Sequence, residues 1–187
     1  YRIPLIDLNR LRRNSTGADY TDDSVQREYR RVSFNDGVLN IVRRLLRVNR
    51  RGILLFSRFV EEAQYISDSL PGMAAIVSQN TPKKERERIL AAFKAGRIKV
   101  VTNVGVLTTG FDYPELDTVV LARPTLSLAL YYQMVGRAIR PHPSKAEGWI
   151  VDLCGNFNRF GRVEDLQLAS YKPGTYCIQN RTRVLTN

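Results

Sequence analysis

The sequence predicts an α/β fold with a mainly parallel central sheet, and three observations predict it. Short apolar runs (ILLF, MAAIV, IKVVT, TVVLA and WIVDL) recur through the middle of the chain, and such runs read as strands buried on both faces. Segments with helical apolar period and helix stop signals stand between them. The polar residues of interest follow the apolar runs directly, where a parallel sheet with right-handed crossovers collects its ligand-binding groups.

In chain order, residues 1–35 read as a lead-in, of which residues 1–24, with little independent fold, mix a short apolar run with arginines and the polar stretch NSTGADYTDDS. Asp22 or Asp23 is placed to cap a short basic helix, Ser24 to Arg31. Asn35 or Asp36 is expected to cap a second helix with Val38, Leu39, Val42, Leu45 and Leu46 as its apolar stripe, and Gly52 marks the stop. After the strand ILLF a helix runs from about Val60 to Leu70, broken by Pro71-Gly72. After MAAIV, Thr81 and Pro82 open a charged helix closed by Gly96, with Ile89, Leu90 and Phe93 facing inward. IKVVT leads into the turn-rich NVGVLTTGFDYPEL and then TVVLA; a helix spans about Ser127 to Arg140, and WIVDL is the last strand. A domain over residues 36–165 and an extension over 166–187 of unassigned role complete the division.

The chain has 187 residues, enough for one domain with extensions. It does not begin with methionine and is expected to be a piece of something longer. No apolar run approaches the ~20 residues needed to cross a bilayer, so no membrane role is expected. Net charge is +11, and of 29 basic residues six are lysines, leaving 23 arginines. That excess suits phosphate recognition and makes nucleic acid the natural partner. Cys154 and Cys177 match no metal or redox spacing; as unpaired thiols they point to a reducing cytoplasm, and no metal site is expected.

Two stretches carry chemistry. LYYQMVGRAIRP, residues 130–141, puts Gln133, Arg137 and Arg140 on one helical face, with Met134, Val135, Ala138 and Ile139 toward a core. Two guanidiniums on such a helix call for a phosphate or another strong acceptor; the other reading is two surface arginines favoured by a helix C-terminus. TNVGVLTTGFD, residues 102–112, sets glycines and threonines directly after a buried strand, where amides and hydroxyls could meet a phosphate. Its Asp112 could bind a ribose hydroxyl or an arginine, or simply cap a turn. No GxxxxGK[ST] is present, nor an acidic cluster placed to hold magnesium, and His142 lies between two prolines with no nucleophile to serve.

Taken together, the stretch TNVGVLTTGFDYPELDTVVLARPTLSLALYYQMVGRAIRP resembles motifs V and VI of the superfamily 2 helicases, and ILLFSR resembles motif IV. The likeness covers residues 36–155 and is greatest to bacterial and phage helicase-like proteins of the RadD type, through TNVGVLTTGFD, YYQMVGRAIRP and VDLCGNFNRFG. It implies a RecA-like three-layer sandwich, a P-loop NTPase-like fold lacking the P-loop. It further implies the second of two motor domains, paired with an N-terminal RecA-like ATPase domain that holds most of ATP and Mg2+, with nucleic acid across both.

By that resemblance, Arg137 and Arg140 reach the triphosphate as catalytic arginines, and Gly110, Asp112, Gln133 and Gly136 lie at the nucleotide. Ser57, Arg58, Ser78, Thr102 and Asn103 lie along the nucleic-acid backbone. Gln133 stands where DEAD-box proteins usually have histidine, which favours DNA over RNA. The spacing from Thr102 to Gly110 is longer than in DEAD-box proteins and leaves Thr108 and Thr109 without an assigned role. The alternative expectation is a non-catalytic nucleic-acid-binding module that kept the fold, and a third is a domain used only for protein contacts.

Overall fold

The computed structural model describes residues 1–48, 50–107, 111–172 and 175–186. Ten residues, Asp22–Arg31, form α1. Its cap is Thr21, whose hydroxyl accepts from the Ser24 amide, one residue ahead of the expected aspartates; those sit instead in the first turn, where the dipole favours them. The second helix, α2, spans Phe34–Arg47 and also begins earlier than expected. Ser33 takes a left-handed φ of 50° ahead of it. That entry places Phe34 in the core, stacked on Tyr29 with ring centroids 3.8 Å apart.

The next elements alternate as the apolar runs predict. They are β1 (Ile53–Ser57), α3 (Val60–Asp68), β2 (Ala74–Ser78), α4 (Lys83–Lys94), β3 (Val100–Val104) and β4 (Thr118–Ala122). After these come α5 (Leu128–Val135), β5 (Trp149–Asp152) and the short α6 (Asn156–Phe160). The strands β1 to β5 make one sheet in the order β2-β3-β1-β4-β5, every neighbouring pair parallel. All five carboxyl ends therefore share one edge.

Helices pack on both faces of this sheet. On one face Val25, Tyr29, Val38, Val42 and Ile66 meet Ile53 and Leu55. On the other, Ile89, Phe93, Tyr131 and Met134 meet Leu54, Phe56 and Val101. Alternation along β1 sends odd and even residues to opposite cores, which is why the whole run must be apolar. Gly52 does not end α2, which stops at Arg47. It opens β1, where a side-chain carbon would stand 3.1 Å from the Phe93 ring.

Residues 1–35, expected as a lead-in to the domain, are built into it. The Ile3 amide donates to the Asp152 carbonyl at 2.9 Å and the Leu5 amide to the Leu153 carbonyl at 2.8 Å, so the segment runs beside β5. Ile6, Leu11 and Tyr20 enter the first core. Beyond α6, β6 (Gln167–Lys172), β7 (Thr175–Gln179) and β8 (Val184–Thr186) form a separate antiparallel sheet in that order. No helix among the described residues is long and apolar enough to cross a membrane.

One buried carboxyl gives the fold a pH dependence. Glu62, in the first turn of α3, is 8% exposed and accepts from the Phe59 amide at 3.4 Å. Burial pushes its carboxyl up to about 8, against the opposing pull of the Phe59 and Arg58 amides and the Arg58 charge. The folded state thus holds this proton more tightly than the unfolded chain, whose value is 4.5. Its contribution to stability is complete below the unfolded value and is lost as pH rises through the folded one. Urea melts are expected to show stability falling between pH 4.5 and about 8 and levelling above, with the slope reduced in Glu62→Gln; an unchanged slope in that variant contradicts the assignment.

Candidate functional site

Two connections that leave the shared strand edge meet each other on the way back to the amino ends of β4 and β5. The first leaves β3. Asn103 is buried, and its side-chain oxygen accepts from the amides of Val106 at 3.3 Å and Leu107 at 2.9 Å, folding the chain back at once. Leu107, Phe111, Tyr113 and Leu116 then drop into the second core. Pinned by these neighbours, Asp112 is left on the surface between Phe111 and Tyr113. Gly110, with Thr108 and Thr109, lies outside the described residues.

The second connection follows α5. Ser127 caps that helix by accepting from the Leu130 amide at 3.2 Å, and Leu128, Tyr131, Met134 and Val135 are buried. The helix stops at Val135 with Gly136 as its cap, five residues short of the expected end at Arg140. Arg137 and Arg140 therefore stand in the turn beyond it rather than on the helical stripe with Gln133, which is exposed. Ile139, expected toward the core, is 44% exposed.

This turn brings the two connections together. The Arg137 side chain is 8% exposed, and its Nη1 donates to the Phe111 carbonyl at 2.6 Å. Arg140 Nη1 meets Asp112 Oδ1 at 2.6 Å, with the two side chains 39% and 77% exposed. Burial lowers the Arg137 pKa, the Arg140 charge lowers it further, and Asp112 works the other way; a guanidinium is not deprotonated in a protein, so the group stays cationic. The site thus holds one buried guanidinium, one accessible guanidinium and one accessible carboxylate.

Lys145, which no motif singled out, ties this arrangement down. Its ammonium donates to the carbonyls of Pro114, Leu116 and Ala138 at 2.9, 3.0 and 3.0 Å, so one side chain joins both connections. Gly148 closes the same loop against the Ala138 carbonyl, which any side-chain carbon at that position would strike. Only the coordinates reveal either role, since a lone lysine and a lone glycine carry no sequence pattern.

The residues expected along nucleic acid do reach the strand edge, but their polar groups are largely engaged within the chain. Thr102 is fully buried and donates to the Ala63 carbonyl of α3 at 3.1 Å. Ser78 is buried; its amide donates to the Thr81 hydroxyl and its own hydroxyl accepts from the Asn80 amide. Ser57 is buried with no hydrogen-bond partner for its hydroxyl among the described residues. Arg58 donates to Asp22 at 2.8 Å, to Asp19 at 3.1 Å and to the Tyr20 carbonyl at 2.6 Å. Asp19 also meets Arg123, at the end of β4, at 3.7 Å. Sequence reasoning missed Asp19 and Arg123 because their partners are remote in the chain.

No group of three or more histidine, cysteine, aspartate or glutamate side chains among the described residues is arranged to hold a metal ion.

Residues 37–142 match the family model described as the helicase conserved C-terminal domain. A 51.5 kDa protein of a Lactococcus phage is 32% identical over 164 residues, covering 86% of this chain and 35% of that protein. The putative ATP-dependent helicase IRC3 of Saccharomyces cerevisiae is 42% identical over 79 residues, covering 42% of this chain and 12% of its own length. The chain thus spans only about a third of the phage relative and less of the yeast one.

Solved structures agree on the fold. A fragment of a putative HsdR subunit of a type I restriction enzyme from Vibrio vulnificus superposes with a TM-score of 0.56 at 24% identity, over 65% of this chain and 27% of that one. The C-terminal domain of the DEAD-box protein Dbp5 gives 0.53 at 23% identity, over 62% and 68%. The five-stranded parallel sheet with flanking helices is RecA-like.

Proposed function

The chain belongs to the family of helicase conserved C-terminal domains, and from that premise we propose that it is the second motor half of an ATP-dependent superfamily 2 DNA helicase or translocase. The observation that carries the reading is the convergence of Asp112, Arg137 and Arg140 where the β3–β4 connection meets the turn after α5, in a sequence that has no phosphate-cradling loop of its own. The residues present fit one wall of a nucleotide site and not a whole one. ATP, held with Mg2+ mainly by a preceding RecA-like domain, supplies the phosphoryl group.

The role of this chain is then positional and electrostatic, as phosphoryl transfer requires. Arg140, accessible at the surface, is placed to face the triphosphate across the gap between domains. Asp112 holds that guanidinium until it is needed, and Arg137 fixes the backbone at Phe111 so that Asp112 is presented. Gln133 is exposed on α5. Activity would then depend on closure of the two domains, which couples hydrolysis to movement along a strand.

The preference for DNA over RNA rests on Gln133 in place of histidine, and the finer likeness to RadD-type proteins rests on the motif wording. A reducing, cytoplasmic setting belongs to the same proposal, supported by the two free and buried cysteines, Cys154 and Cys177.

The test is ATP hydrolysis by the intact protein across a panel of single-stranded, forked and duplex DNA and RNA. Stimulation by DNA above RNA is the expected result. Binding without any stimulated hydrolysis would favour a non-catalytic nucleic-acid-binding module.

A further inference from the structure

The arginines of the strand edge, and those of the turn after α5, are spoken for. Arg58 is held by Asp19 and Asp22, Arg123 by Asp19, Arg137 by the Phe111 carbonyl and Arg140 by Asp112. The net charge of +11 must therefore show itself elsewhere, and α2 is one place where it does. The buried side of that helix is Val38, Leu39, Val42 and Leu45. On its opposite side Asn40, Arg43, Arg44 and Arg47 follow at helical spacing, all exposed.

None of these three arginines has a carboxylate within ion-pair distance among the described residues; the paired arginines of the neighbouring α1 are Arg27, with Asp23, and Arg31, with Glu28. The one acid of α2 is Asp36, in the first turn, and it accepts from the Tyr65 hydroxyl at 2.5 Å. Arg43 and Arg47 stand four residues apart, a like-charge spacing that destabilises an isolated helix. The helix dipole compensates cations only in the last turn. Arg44 and Arg47 lie in that turn, and Arg43 lies outside it.

The place of this face in the fold matters as much as its charge. The first turns of α2 and α3 line one cleft, through Phe34 and Asp36 on one side and Phe59 and Glu62 on the other. Since α3 follows β1, that cleft marks the strand-edge end of α2. From Asp36 the helix runs away from the edge, and its rise of 1.5 Å per residue puts Arg43 and Arg47 about 10 and 17 Å along.

We propose that the Asn40–Arg47 face of α2 is a second nucleic-acid contact, which grips backbone phosphates where the polymer runs on beyond the strand edge. Guanidinium forks match phosphate oxygens in pairs, and contacts of this kind position a polymer without reading its sequence. The inference rests on the reading of the chain as part of a nucleic-acid motor and adds to it a surface outside the motifs.

The experiment is a titration of the intact protein with a fluorescent partial duplex bearing a single-stranded tail, at several salt concentrations. In the triple variant R43A/R44A/R47A, affinity at low salt is expected to fall at least about tenfold, and the slope of log K against log salt to fall by about 2–3, because each phosphate neutralised contributes ~0.7–0.9. The triple lysine variant, which keeps the charge, is expected to recover most of both, and thermal melts check that α2 still folds. Wild-type affinity and slope in the folded alanine variant would overturn the inference while leaving the motor reading in place. Failure of the wild-type protein to bind nucleic acid at any salt would overturn both.

Discussion

Replacing Arg140 with alanine in the intact protein is expected to lower nucleic-acid-stimulated ATP hydrolysis at least about a hundredfold, toward the ~10³–10⁵ that an arginine supplied across a cleft can contribute. The variant is a clean test because its structural cost is small. Arg140 and Asp112 form a pair whose side chains are 39% and 77% exposed, and exposed pairs are worth only about 0–1 kcal/mol. The melting temperature should stay close to wild type while turnover collapses. Turnover that survives in the folded variant would remove Arg140 from the proposed role.

Arg137 is a harder residue to interrogate. Its guanidinium is buried and donates to the Phe111 carbonyl at 2.6 Å, so alanine leaves a buried acceptor unmatched, at a cost of about 1–3 kcal/mol. Lysine keeps the charge and loses the fork, which makes Arg137→Lys the better comparison with Arg137→Ala.

Phe93→Ala is expected to cost about 3–5 kcal/mol of stability, the range for deleting a buried phenyl group. Phe93 is fully buried. Its ring stands 6.4 Å from that of Phe111 and 5.4 Å from that of Tyr113, and it also covers Gly52 at the start of β1. The cavity would therefore open beneath the residues that flank Asp112. Chemical denaturation measures the loss, and a cost below about 1 kcal/mol would mean that the pocket collapses around the missing ring. In the intact protein, hydrolysis should also fall at temperatures where the variant is still folded, since Asp112 loses its support.

Much of this architecture was legible before any coordinates. Five apolar runs became five parallel strands because a run buried on both faces leaves little choice of structure, and TVVLA matches β4 residue for residue. Helix ends were less legible: the chain turns at Gly136 although the apolar pattern of Met134, Val135 and Ala138 continues past it. That early stop changed the site most, since it moved Arg137 and Arg140 off the stripe with Gln133 and into contact with Phe111 and Asp112. The two motifs were visible as motifs, but their joining through Lys145 was not. Nor was the engagement of the Thr102 hydroxyl and the Asn103 side-chain oxygen inside the fold, because a strand-end hydroxyl or amide looks alike in sequence whether it faces a ligand or a neighbouring helix.

The way the first 21 residues sit on the sheet bears on how the domain can be handled in isolation. A fragment cut at residue 37, where the family match begins, would discard Ile6, Leu11, Tyr20, Val25, Tyr29 and Phe34 from the first core. It would also strip Arg58 and Arg123 of the carboxylates that neutralise them, leaving two bare cations beside a freshly uncovered oily surface. Such a fragment invites precipitation and adventitious binding to any polyanion in the tube, and an assay run on it would report the wound rather than the protein.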